Sequence, residues 1–175
     1  SFLDLICAWG YKAIYALPKK IKQNERSVAE ILAANMRKMI ISERPNNPAY
    51  FDKMSDLLNH LLQEQKDGKI QYKELIKQLI EKLREARLTI KTKYPATIDT
   101  KGKQALYDNL GGNEALALRI HEIIKANARD GFRDMDSSGL KKMRALRRAV
   151  ESALKGVEQD KLDDIMQLIV AQKEY

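Results

Sequence analysis

Apolar residues recur along this chain at intervals of three and four, and no stretch alternates with polar residues as a half-buried strand would. Phe2 to Ala16 is mostly apolar and reads as one helix with Gly10 as a weak point, broken by Pro18. Ser27 and Glu30 have the spacing of a capping box. The helix they open carries Val28, Ile31, Leu32, Met36, Met39 and Ile40 on one stripe, and Asn35 falls on it too. A buried amide needs partners, so Asn35 either fixes helix register or faces a partner subunit. The two prolines exclude helix from residues 43–48. Asn47 as N-cap and Pro48 at the first helical position start the next helix, with Met54, Leu57, Leu58, Leu61 and Leu62 on its stripe. Asp67-Gly68 ends it. A second stripe follows: Tyr72, Leu75, Ile76, Leu79, Ile80 and Leu83. Two stripes joined by a short glycine turn predict an antiparallel hairpin, its second arm reaching Lys91 with an outward face rich in Lys and Arg.

Tyr94-Pro95-Ala96-Thr97 reads as the internal boundary. Beyond it, Thr100 caps a short helix ending at Leu110, and Gly111-Gly112 stops it. Asn113 and Glu114 open a helix carrying Leu116, Ile120, Ile123 and Ile124. Residues 130–139 form a polar loop. The next helix turns Leu140, Met143, Leu146, Val150 and Leu154 inward and stops at Gly156, and the last buries Leu162, Ile165, Met166 and Ile169. The expected fold is all-α, a bundle of seven to nine helices. It is divisible into an N-terminal lobe, 1–93, and a C-terminal lobe, 94–175, unless the two form one domain.

Composition sharpens this. The 175 residues include only 8 Gly and 4 Pro, with 44% hydrophobic and 32% charged residues, which fits helices and excludes a β-sandwich or a collagen-like rod. The net charge is +8, which permits nucleic acid or an acidic protein surface as partner. The excess is uneven: residues 1–93 hold 18 basic and 11 acidic side chains, residues 94–175 hold 14 and 13. The lone Cys7 has no partner for a disulfide and suits a reducing, cytoplasmic setting. No apolar run nears the ~20 residues of a membrane span. No membrane partner is expected. The chain begins inside an apolar pattern, as a piece of a longer protein would.

Catalytic chemistry is hard to find. Gly111-Gly112 is followed by Asn113-Glu114-Ala115, without the lysine of a phosphate-binding loop, and reads as a helix stop. His60 and His121 each lack a second ligand one turn away, and Cys7 reads as a small packed hydrophobe. The acidic loop from Asp130 fails as a calcium site. The places that need glycine and glutamate hold Met135 and Lys141 counted from Asp130, or Gly139 and Ala145 counted from Asp134. No catalytic residue, metal ligand or cofactor is expected in this chain.

The strongest electrostatic signal is Lys141, Lys142, Arg144, Arg147 and Arg148. Lys141, Arg144 and Arg148 share one helix face, Lys142 lies beside them, and Arg147 sits nearer the apolar stripe. Such a face can neutralise phosphates, but it has no aromatic residue to stack on bases. The competing reading is a solvated face paired with Asp134, Asp136 and Glu151.

Several landmarks taken together resemble a known family. The run Val28-Ala29-Glu30, then Asn35 through Ile41, then Glu43-Arg44-Pro45-Asn46-Asn47-Pro48-Ala49-Tyr50-Phe51-Asp52-Lys53-Met54-Ser55, is similar to the C-terminal helical region of the R subunit of type I restriction enzymes. The runs 105–111 and 130–134, the basic helix after them, and the tail Gln172-Lys173-Glu174-Tyr175 resemble it in the same order. One departure is Phe132, where a tryptophan is the family's expected residue.

The resemblance implies a parent that is an ATP- and Mg-dependent site-specific deoxyribonuclease, whose nuclease and motor motifs lie outside this chain. For this region it implies a non-catalytic role. The region would couple the translocase to the methyltransferase and specificity subunits, with DNA met through the complex. Asn35, Arg44, Asn46, Tyr50 and Phe132 are then candidates either for a partner surface or for turns that lock consecutive helices. A stand-alone, basic, helical nucleic-acid-binding protein is the alternative.

Overall fold

The computed structural model describes residues 1–88 and 93–175. Among the described residues there are nine α-helices and no strand, an all-α helical bundle. The chain groups into two compact units. One comprises Ser1–Arg44 and Phe51–Ile90; the other comprises Pro45–Tyr50 and Lys91–Tyr175.

In the first unit, α1 (Phe2–Trp9) passes into a tighter 3₁₀ stretch, Gly10–Ala16. The single helix expected over 2–16 therefore changes character at Gly10, whose φ of 58° is one that side-chain-bearing residues avoid. A brief α2 (Lys19–Lys22) follows Pro18. The helix α3 (Glu25–Glu43) starts earlier than the Ser27/Glu30 pattern suggested, because Asn24 is the N-cap and its side chain accepts from the Ser27 N–H at 3.2 Å. Its buried stripe runs Val28, Ala29, Leu32, Ala33, Met36, Met39 and Ile40. A 3₁₀ turn, Arg44–Asn46, occupies part of the segment where no helix was expected.

The helix α4 (Pro48–Lys66) buries Phe51, Met54, Leu58 and Leu61. It ends in a Schellman turn, with Lys69 N–H donating to Glu64 C=O at 2.8 Å and Gly68 N–H to Gln65 C=O at 3.0 Å. The helix α5 (Tyr72–Arg87) buries Leu75, Ile76, Leu79, Ile80 and Leu83, a continuous apolar stripe. Its principal neighbour is α3, followed by α1 and the 3₁₀ stretch, rather than α4, the other arm of the expected hairpin. Lys91, to which the second arm was expected to extend, lies outside the described residues.

In the second unit, α6 (Lys101–Asn109), α7 (Glu114–Asn127), α8 (Ser137–Leu154) and α9 (Leu162–Ala171) surround one apolar core. Thr100, Asn113 and Asp136 cap the first three of these, each through a side-chain oxygen that accepts a backbone N–H. Consecutive helices pack on one another, and α9 also closes back on α6. Leu106, Ile120, Leu146, Val150 and Ile165 are fully buried at the centre. Leu140, expected to face inward, is 39% exposed, because inward packing along α8 begins in earnest only at Leu146.

Candidate basic interface

The basic face on α8 is built from below by three ties. Phe132 is buried in the core and anchors the loop ahead of the helix. Arg133 lies over its ring, the guanidinium carbon 4.2 Å from the centroid. From there Arg133 reaches the end of α9, donating to Val170 C=O (2.9 Å), Ile169 C=O and Gln172 C=O (both 3.0 Å). The last carbonyls of any helix lack intrahelical donors, and a cation there also opposes the negative end of the helix dipole. One arginine therefore terminates α9 and fixes the loop.

Lys142 donates to the Asp130 carbonyl at 2.7 Å, and Arg147 pairs with Asp163 on α9 at 2.6 Å. Two of the five expected cations thus serve the fold. Neither binds the carboxylates expected as their neutralisers: Asp136 instead caps α8 through Gly139 N–H at 2.7 Å. Lys141, Arg144 and Arg148 remain exposed on one face, outside every ion pair among the described residues. The site is thus smaller than its sequence suggested. Each phosphate neutralised contributes about 0.9 to the slope of log affinity against log salt, so the expectation drops from about −4.5 to about −2.7.

The other candidates make the following contacts. The Asn35 amide donates to Ile31 C=O one turn back at 2.9 Å, which satisfies it within its own helix. Arg44 makes a two-point pair with Asp52, at 2.7 and 3.2 Å, across the turn between α3 and α4. The Asn46 carbonyl accepts from the buried Gln172 amide at 3.4 Å. Tyr50 donates its N–H to Asn47 Oδ1 at 3.3 Å, so Asn47 caps α4 as its position suggested.

A wider polar lock surrounds Asn47 in the second unit. Its amide donates to Asp108 at 2.9 Å, and the Tyr94 hydroxyl donates to the same carboxylate oxygen at 2.6 Å. Asn109 donates to Asn47 Oδ1 at 2.8 Å and to Ala105 C=O at 2.7 Å, while its own oxygen accepts from Ala49 N–H at 3.2 Å. The tail forms a second lock. Glu174 accepts from Gly102 N–H at 2.6 Å, inside the first turn of α6, and Tyr175 hydrogen-bonds His121 Nδ1 at 2.7 Å. A side chain at position 102 would meet the ends of both tail side chains, which would have to shift to make room.

Sequence reasoning missed Arg133, Asp108, Asn109 and Glu174. Each has a partner 36 to 72 residues away, beyond the reach of any local pattern.

Burial pushes the His121 imidazole below its ordinary pKa, with Glu174 opposing, and burial raises both the Cys7 thiol and the Tyr175 phenol. His60 is exposed and sits 3.0 Å from Glu64 on its own helix. Among the described residues no three His, Cys, Asp or Glu side chains gather as a metal ion would need, and no helix is long and apolar enough to cross a membrane. The chain matches no family model, no curated protein and no solved structure.

Proposed function

We propose that this chain is an assembly and coupling module: the C-terminal helical region of a type I restriction enzyme's R subunit, working in the cytoplasm. It would hold an ATP- and Mg-dependent DNA translocase and endonuclease to the methyltransferase and specificity subunits. It would contribute no catalytic group and bind no cofactor itself.

One observation carries the reading. Of the runs that resemble the family, 43–55, 105–111, 130–134 and 172–175 include residues of the second unit's locks and turns, among them Asn47, Asp108, Asn109, Arg133 and Glu174, while 28–30 and 35–41 lie in the first unit. A likeness concentrated in fold-determining contacts supports a shared fold and its assembly role more than a shared reaction. The exposed trio Lys141, Arg144 and Arg148 supports contact with a polyanion, at a strength suited to a secondary hold on duplex DNA.

The test is co-purification of the intact complex with and without residues 94–175 of this region. Loss of the methyltransferase and specificity subunits, with ATP turnover by the motor retained, is the expected result. Full co-purification of the truncated subunit would overturn the assignment. Reversing charge at Arg144 and Arg148 should lower DNA affinity of the complex and flatten its salt dependence without dissociating it.

A further inference from the structure

The twenty residues from Leu5 to Asn24 contain no carboxylate, but they contain Lys12, Lys19, Lys20 and Lys22 together with Trp9, Tyr11 and Tyr15. The three rings stand out from the first unit: Trp9 is 58% exposed, Tyr11 45% and Tyr15 73%. Their aliphatic neighbours Ile6, Ala13 and Ile14 are buried, so the segment is anchored from one side and presents aromatic and cationic groups on the other. Lys12 and Tyr15 lie three residues apart within the 3₁₀ stretch and so share one edge of it, while Trp9 ends α1 just ahead of Gly10. On α5, Arg84 adds a further cation: its Nη1 would lie 3.1 Å from a Cβ at Gly10. Lys12, Lys19, Lys20, Lys22 and Arg84 enter no ion pair among the described residues, so their charge is uncompensated.

We infer that this surface binds single-stranded nucleic acid, with Trp9 and Tyr15 as stacking platforms for bases and the lysines and Arg84 holding the phosphates. Exposed rings interleaved with free cations are what a single strand requires, because its base faces are open. A duplex hides those faces, which leaves the rings without a use. A membrane surface fits less well, since Ile6, Ala13 and Ile14 are buried in the core and Leu5, Leu17 and Ile21 are half-buried. The site lies in the other unit from the α8 trio and does not rest on the assembly role.

Trp9 is the chain's single tryptophan, so its emission reports this site alone. The experiment titrates the protein with a twelve-residue oligothymidylate and, in a parallel arm, oligouridylate, following Trp9 fluorescence and the anisotropy of end-labelled strand. Quenching by either strand, weakening as salt rises, is the expected result. Replacing Trp9 by Leu should weaken binding of labelled strand about five- to 150-fold, the range for loss of one stacked base. Tyr15→Leu should act similarly, and Lys19→Glu with Lys20→Glu should reduce both affinity and salt slope. All these residues are exposed, so helicity by circular dichroism should not change. Equal quenching by the annealed duplex, by inorganic polyphosphate or by anionic phosphatidylserine vesicles would overturn the inference. So would strand binding indifferent to Trp9→Leu.

Discussion

Each of the two units is held together internally by its own means. In the first, burial follows aliphatic stripes at helical spacing, and its longer-range polar pairs, Arg44 with Asp52 and Arg87 with Asp4, lie at the exposed surface. In the second, amides, carboxylates and one guanidinium bond across many tens of residues, often to backbone groups. Hydrophobic burial is non-directional, so stripes determine that helices pack without deciding strongly which ends meet. Hydrogen bonds are directional and costly to leave unmade, so the second unit's locks specify its loop and tail positions.

The comparison can be tested by substitution, with the largest losses expected where both units are alike. Leu79→Ala in the first and Leu106→Ala in the second remove fully buried side chains and should each cost about 2–5 kcal/mol, read from denaturant midpoints. An unchanged midpoint for either would refute the core assignment. Arg133→Ala should come next, at about 1–3 kcal/mol, because it leaves carbonyls at the end of α9 without their donor. Arg133→Lys should recover little, since a point charge cannot replace the planar fork. Amide exchange at 169–172 checks this by local loss of protection.

Asn47→Ala removes a cap and a link to Asp108, and should cost about 0.5–2 kcal/mol. The pH effect is smaller. His121 titrates lower in the folded chain than the ordinary 6.5, so below 6.5 the unfolded chain takes up the proton first. Stability should therefore fall as pH drops through 6.5 and level off below the folded value. His121→Gln should remove that component of the pH profile. Smallest of all should be Asp163→Asn, since its pair with Arg147 is solvent-exposed and worth roughly 0.2–1 kcal/mol.

The all-helical class, most caps and the inward stripes were readable from the chain, because each depends on residues within about two turns. Asn113, Thr100 and Asn47 show this: cap and recipient N–H are three residues apart. The pairing of α5 with α3 was not readable, since both α3 and α4 offer suitable stripes. The basic helix was found, but its usable charge was overstated. Nothing local distinguishes Lys142, turned to the Asp130 carbonyl, from Lys141 beside it, which remains exposed. The exposed rings near Gly10 were missed for a different reason: in a mostly apolar run, nothing local shows which members the fold leaves outside.

Arg133 constrains how this molecule can drift. A change at that position strips donors from Ile169, Val170 and Gln172 together, so tolerance of it should demand a new ending for α9, such as a glycine turn beyond Ala171. Diverged copies should therefore alter the two segments in concert or keep both.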